Sequence, residues 1–322
     1  MGVVTQTPFR PRALGELLEL WHRVMPQDAP GPERFRDIVL LDPAFRPDGL
    51  VMAWRGRRLI GFGYAVAPEG APGTAPPRGW LVALGVAPEE QRRGHGRRLL
   101  RACLGFLAGA GCSVAELGGN GERYLLPGAD PVAYPSACRL LQAAGFRRAG
   151  STRAMSCELG PALAAGPGPD SGAAVAGPRY EYRHPGDGDI PELLRAAAAI
   201  SPSWRGLIRD YLAREADPGN IWIAADGDGI AGFAGADLFP GCPGRFGPMG
   251  VLPAARGGGV GSRLLRLTLG SMAERGHRRA WFLWGPEGAA GRRMYASAGF
   301  RVSREFEFFS RDLQATRERK AG

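Results

Sequence analysis

The sequence is almost without lysine: Lys320 stands alone, and arginine supplies the rest of the positive charge behind a formal net charge of +10. It also lacks paired cysteines. Cys103, Cys112, Cys138, Cys157 and Cys242 are odd in number and form no Cys-x-x-Cys, which argues against a disulfide framework or a thiolate zinc site and for ordinary thiols of a reducing compartment. No apolar run reaches bilayer-spanning length. Met1-Gly2-Val3-Val4-Thr5-Gln6 carries neither an apolar leader nor the Ser or Thr that N-myristoylation requires where Gln6 stands. A soluble cytoplasmic protein with no membrane partner is expected. The arginines are scattered and form no stripe with aromatics, so they read as solvated charge, and no nucleic-acid partner is expected. A nucleic-acid binder would betray itself by affinity that falls steeply with salt.

With 322 residues and 44% hydrophobic content, the chain can bury two cores. Gly160 to Gly177 is built from Gly, Ala and Pro with few large apolar side chains, and such a stretch cannot pack one. The expected organisation is a domain over 1–159, a linker over 160–178, a second domain over 179–313 and a tail over 314–322.

The same order of features recurs on both sides of the linker. Each half opens with an amphipathic stretch, carrying Glu16-Leu17-Leu18 or Glu192-Leu193-Leu194. A hairpin pattern follows, Leu50–Trp54 with Leu59–Tyr64 in the first half and Ile221–Ala225 with Ile230–Gly235 in the second, each around a glycine-containing turn. The next strand, Trp80–Val86 or Phe246–Val251, ends in Gly-Val-x-Pro. Beyond a glycine-rich turn, Leu99, Leu100, Cys103 and Leu107 recur at helical spacing, as do Leu264, Leu265, Leu269 and Met272. Each half then shows a strand (Ser113–Leu117, Ala280–Trp284), a short helix, Ala-Gly-Phe and a final strand, the last marked by Phe306 and Phe308. The order predicts a mixed α/β (α+β) layer structure in each half.

The chemistry sits in the glycine-rich turns, Gln91-Arg92-Arg93-Gly94-His95-Gly96-Arg97 and Arg256-Gly257-Gly258-Gly259-Val260-Gly261-Ser262. Glycines let backbone approach a ligand, and unpaired N–H groups at a helix start attract anions. A dinucleotide loop would need glycine where Leu99 and Leu264 stand, and a Walker loop would need a lysine that neither turn has.

Strand, Gln/Arg-x-x-Gly-x-Gly, amphipathic helix, strand and, in the second half, Tyr-x-x-x-Gly-Phe resemble the GCN5-related N-acetyltransferase (GNAT) superfamily, twice over. The resemblance implies a mostly antiparallel twisted sheet in each domain, with a splayed central strand pair flanked by helices. It implies acetyl-CoA as cofactor, its pyrophosphate on the two turns and its pantetheine arm along Leu84-Gly85-Val86 and Met249-Gly250-Val251, where a backbone N–H polarises the thioester oxygen. It also gives Tyr295, in Tyr295-Ala296-Ser297-Ala298-Gly299-Phe300, the role of general acid toward the thiolate. The matching residue of the first half is Leu141, which donates no proton, so the chemistry is expected in the second. Family members often carry a basic carboxylate on the strand before the turn. Phe246–Val251 has none, and Asp237 and Glu287 are the nearest candidates, each with the alternative of a solvated loop charge.

The segment Asn120 to Pro135, present only in the first half and containing Tyr124, Asp130 and Tyr134, reads as a source of an alternative acid, an acceptor contact or a surface loop, the last two favoured. Trp281, Phe282 and Trp284 read as an aromatic wall or as core. The expected activity is direct transfer of an acetyl group to a primary amine of a small molecule, by a monomer or homodimer. A non-catalytic acyl-CoA-binding or sensing protein is the alternative.

Overall fold

The computed structural model describes residues 3–68, 78–118, 125–160, 179–215, 218–285 and 288–313. The linker, from 161 on, and the tail thus lie outside the described residues. The first half runs β1 (Val4–Pro8), α1 (Leu14–Val24), the short α2 (Pro32–Phe35), β2 (Leu50–Arg55), β3 (Arg58–Val66), β4 (Arg78–Val86), α3 (His95–Gly109), β5 (Val114–Leu117), α4 (Pro135–Ala143) and β6 (Arg147–Glu158). The second half runs β7 (Glu181–Arg183), α5 (Ile190–Ile200), α6 (Pro202–Arg214), β8 (Ile221–Asp226), β9 (Gly229–Ala236), β10 (Phe246–Val251), α7 (Val260–Glu274), β11 (Arg279–Phe282), α8 (Ala289–Ser297) and β12 (Arg301–Asp312).

In the first half β1, β2, β3 and β4 pair antiparallel in that order, the β2–β3 hairpin closing at Arg55↔Arg58 through Gly56 with φ of 59°. In the second half β7, β8, β9 and β10 do the same. Alternation along β3 sorts its neighbours. Phe62 and Tyr64 join Leu17, Leu20 and Trp21 of α1, while a Cβ at Gly63 would lie 2.7 Å from the Cys103 sulfur of α3. Glycine there lets the helix sit close to the sheet. The helical spacings read from the sequence are the buried faces: Leu99, Leu100, Cys103 and Leu107 in α3, and Leu264, Leu265, Leu269 and Met272 in α7. Each such side chain contributes about 1.5–3 kcal/mol through burial.

The closing strands do not stay with their halves. The end of β12 pairs antiparallel with β5, from Phe309↔Leu117 to Asp312↔Val114, and puts Phe309 and Leu313 into the core of α3 and α4. The end of β6 pairs with β11, from Met155↔Phe282 to Glu158↔Arg279, and puts Met155 and Cys157 into the core of α7 and α8. Of the described residues, unit 1 therefore comprises 3–152 with 304–313, and unit 2 comprises 153–303. The boundaries at 159 and 313 followed the sequence repeat, whereas the compact units exchange the last stretch of each half. The physical reason is that a β ladder uses backbone groups common to every residue, so a strand of similar length and pattern can complete either sheet, as in domain swapping.

Candidate active site

Both units build the same turn from local rules. A 3-10 turn, Pro88–Glu90 or Pro253–Ala255, leaves the fourth strand, and the following helix starts at a left-handed glycine, Gly94 (φ 82°) or Gly259 (φ 78°). The Gln91 amide donates to the Val86 carbonyl at 3.1 Å, and the Arg256 guanidinium donates to the Val251 carbonyl at 3.1 Å. One tether explains why either residue serves. Neither helix start has a side-chain cap, so the N–H groups of its first turn are left without a side-chain acceptor, an arrangement that can cradle an anion. At the second loop position the units diverge. Gly257 takes φ of 85° freely, but Arg92 takes φ of 62° at a cost of about 1 kcal/mol.

Beneath the first loop lies an ionic layer. Arg55 donates to the buried Glu90 at 2.7 Å, and Glu89 accepts from Arg23 at 3.0 Å and from Arg58. Arg93 stands 3.5 Å from Glu90. The ring of His95 is buried among these groups with its Nε2 3.7 Å from Glu90 and neither nitrogen hydrogen-bonded. Burial lowers its pKa despite the nearby carboxylate, so the ring of His95 is neutral at pH 7. Ala255 and Val260 stand at the corresponding places in unit 2, where both are buried.

The strand before each loop is splayed from its neighbour. β4 runs parallel to β5 only from Arg78↔Val114 to Trp80↔Glu116, and β10 meets β11 at the single bridge Arg245↔Trp281. Each strand also carries a bulge at the start of the splay, at Val82 and at Gly247-Pro248. Gly85 lies against Val24 and Phe62, and Gly250 against Ile200 and Trp204, with no room for a Cβ at either. Leu84 and Val86 flank Gly85, as Met249 and Val251 flank Gly250, so the expected pantetheine strands run straight into the loops.

In unit 1 the splay opens into a cavity of about 820 Å³. Its lining joins Gln91, Arg92, Gly94, Gly96 and Arg97 of the loop to Trp80–Val86 of β4 and to Tyr134. Tyr134 belongs to a polar cluster that no local pattern announces. Its hydroxyl donates to Asp28, and Arg304 donates to Asp28 through both terminal nitrogens, at 2.6 and 2.8 Å, and to Asp130 at 2.7 Å. Asp130 also accepts the N–H groups of Val132 (2.8 Å) and Ala133 (2.9 Å). Burial alone would raise the Asp130 carboxyl, but the N–H of Ala133, the Arg304 guanidinium and the N–H of Val132 outweigh it and hold its pKa low. Burial, then the bond to Asp28 and its charge, raise the Tyr134 phenol, which stays protonated at neutral pH.

For 125–135, these contacts correct the surface-loop reading. Leu125, Ala129 and Asp130 are buried, and Leu125, Leu126, Ala133 and Tyr134 are among the residues that line the cavity; residues 120–124, Tyr124 included, lie outside the described residues. Asp28 and Arg304, 276 residues apart, escaped sequence reasoning altogether.

Unit 2 fills the corresponding place differently. Where unit 1 has Leu81, Leu117, Leu141 and Phe146, unit 2 has Phe246, Phe282, Tyr295 and Phe300. Tyr295 packs against Phe282, Phe300 and Phe246 with ring centroids 4.8, 5.3 and 6.0 Å away, and burial raises its pKa. Asp237 has φ of 57°; its carboxylate accepts the Gly244 N–H at 2.6 Å and stands 2.7 Å from His277, so both oxygens are engaged in closing the 237–245 loop. Glu287 lies outside the described residues. Trp281 donates to the Pro243 carbonyl at 3.0 Å and Phe282 joins the ring cluster, which gives both a packing role.

Residues 14–121 match the Acetyltransferase (GNAT) family, and residues 217–302 match the Acetyltransferase (GNAT) domain. Among solved structures, the fold is similar to the tandem GNAT protein from the clavulanic acid biosynthesis pathway, at 16% identity and TM-score 0.71 over 97% of this chain and 99% of that one. It is similar to a GCN5-related N-acetyltransferase from Sphaerobacter thermophilus, at 16% identity and TM-score 0.67 over 96% of each chain. It is also similar to the glucosamine N-acetyltransferase region of a fungal multi-domain GH3 β-N-acetylglucosaminidase, at 15% identity and TM-score 0.74 over 97% of this chain; this chain spans 38% of that longer protein. No curated protein sequence matches. At such identities the structures speak for the fold.

Proposed function

The chain belongs to the GNAT acetyltransferase family, as a tandem member with one such domain in each half, and we propose that it transfers the acetyl group of acetyl-CoA to a primary amine of a small molecule inside the unit 1 cavity. The observation that carries this reading is the cavity itself, because one cleft joins an anion cradle, a splayed strand edge and a protonated phenol. Arg92, Arg97 and the N–H groups after Gly94 take the pyrophosphate. The edge of β4 at Leu84–Val86 pairs with the pantetheine arm, and a backbone N–H there stabilises negative charge on the carbonyl oxygen. In unit 2, Arg256 and the N–H groups of Gly257 to Ser262, with the β10 edge at Met249–Val251, form the matching second cradle.

Acetyl-CoA supplies the activated acyl group. A neutral amine attacks directly, the C–N bond forms as the C–S bond breaks, and water carries off the amine proton. Tyr134 protonates the departing thiolate and regains a proton from water, and Asp28 with Arg304 holds its ring in place. The reaction suits a reducing cytoplasm, where the five cysteines stay free and burial pushes the Cys103 thiol up to about 12. Among the described residues no helix is long and apolar enough to cross a membrane.

A second reading puts the chemistry in unit 2 with Tyr295 as acid. It is favoured by the place of Tyr295 between β10 and β11 and by burial that keeps its phenol protonated. Release of CoA measured with an amine library separates the two. On the first reading Tyr134→Phe lowers kcat about 100-fold and Tyr295→Phe leaves it within a few-fold; the reverse pattern moves the site to unit 2. Binding of acetyl-CoA with no amine consumed would instead support an acyl-CoA sensor.

A further inference from the structure

The walls of the unit 1 cavity carry information about the acceptor. Beside Tyr134 and Ser136, the described lining away from the loop is largely apolar, with Val24 and Met25 at the end of α1, Val82 at the β4 bulge, and Leu125 and Leu126 before α4. Among the described residues the charged ones in the lining are arginines: Arg92 and Arg97 beside the cradle, and Arg139 on α4. The acidic groups behind Tyr134 are committed. Asp28 receives two bonds from Arg304 and one from Tyr134, and Asp130 receives one from Arg304 and two from backbone N–H groups.

An ammonium group entering such a space loses water and meets no uncommitted carboxylate among the described lining residues, a loss that recurs with every additional charge on the acceptor. A single amine on an apolar body loses less. Its hydrocarbon is buried against Val24, Met25, Leu125 and Leu126, and the same apolar surroundings lower the amine pKa toward the neutral nucleophile that the reaction needs.

We propose that the acceptor is a monoamine on an aryl or alkyl body, and that this cavity discriminates against polycationic amines such as polyamines and aminoglycosides. The proposal rests on the unit 1 cavity being the reaction chamber. The full-length chain is assayed with acetyl-CoA at fixed pH, following thiol release and N-acetyl product by mass, with phenethylamine and octylamine against spermidine and kanamycin. The apolar monoamines are expected to show kcat/KM at least ~10-fold higher. Equal or better acetylation of the polycations overturns the proposal, and no product from any amine overturns the transfer reading beneath it.

Leu126→Glu places a carboxylate in the same wall, and the ratio of spermidine to phenethylamine kcat/KM is expected to rise about tenfold. An unchanged ratio removes the specificity from this wall and, with it, the chemistry from unit 1. A measurement on the unaltered chain needs no variant to fold: N,N-dimethylphenethylamine, which lacks a transferable N–H, should compete with phenethylamine. Absence of competition counts against an apolar acceptor site.

Discussion

Unit 1 and unit 2 carry the same loop on different foundations. In unit 1 the turn rests on Arg55, Glu90 and His95 and opens into a cavity walled by aliphatic side chains and the Tyr134 cluster. In unit 2 the turn rests on Ala255 and Val260, and the wedge between β10 and β11 is packed with Phe246, Phe282, Tyr295 and Phe300. The difference teaches that a loop geometry can be duplicated while the side chains packed behind it diverge, mainly aliphatic in one unit and aromatic in the other.

The sharpest way to break this comparison is to remove the strand that unit 1 receives from the end of the chain. Truncation after Ser303 deletes Arg304 and the buried Phe306, Phe309 and Leu313, each apolar loss worth about 2–5 kcal/mol. Thermal melting should lose the unit 1 transition while the unit 2 transition persists in shifted form. A melt that matched the full chain would mean that β12 is dispensable to unit 1.

A smaller cut goes through the cluster. Arg304→Leu leaves Asp28 and Asp130 buried without their partner, a loss of about 3–5 kcal/mol in urea denaturation. Acetyl transfer should fall with it if the cluster orients Tyr134, and unchanged kcat with reduced stability would make the cluster structural only.

Acid sharpens the comparison from another side. The Asp130 pKa is depressed on folding, so its contribution to stability is present above the unfolded value near pH 4 and is lost as pH falls through the folded one. Unit 2 has its own such group: Arg183, against opposing burial, and the Gly186 N–H bring Asp189 down to about 2. Asp130→Asn should flatten only the unit 1 part of the acid transition, which site-resolved hydrogen exchange between pH 2 and 5 would report. Flattening in unit 2 as well would mean that the units do not titrate independently.

The least effect is expected in the loops. Gly257→Ala forces a Cβ into the left-handed region at about 1 kcal/mol. Arg92→Gly relieves that strain but removes a cation beside the cradle, and acetyl-CoA titration should show affinity reduced several-fold at one class of site. Two classes of site that both keep full affinity would mean that Arg92 does not touch the ligand.

Much of the architecture was legible because it is periodic. Leu99, Leu100, Cys103 and Leu107 announced α3, the two hairpins closed at the glycine-bearing turns, and both loops sit where their glycines put them. β1, β7 and α6 carried too little pattern to read. Asp130 and Tyr134 were visible as an extra segment in one half, without a partner to say what they meant. Asp28 and Arg304 were invisible, since nothing local links residues 276 apart.

The sequence by itself determined the tandem repeat and the shape of the two glycine-rich turns. Left-handed backbone at Gly94 and Gly259 and a tether reaching five residues back are local events, settled within one turn of chain. The destination of each closing strand was decided only in three dimensions, because ladder hydrogen bonds are the same for every residue and packing alone selects between two similar edges. The space in front of each cradle was decided there too, by side chains that strands and helices bring together from distant parts of the chain.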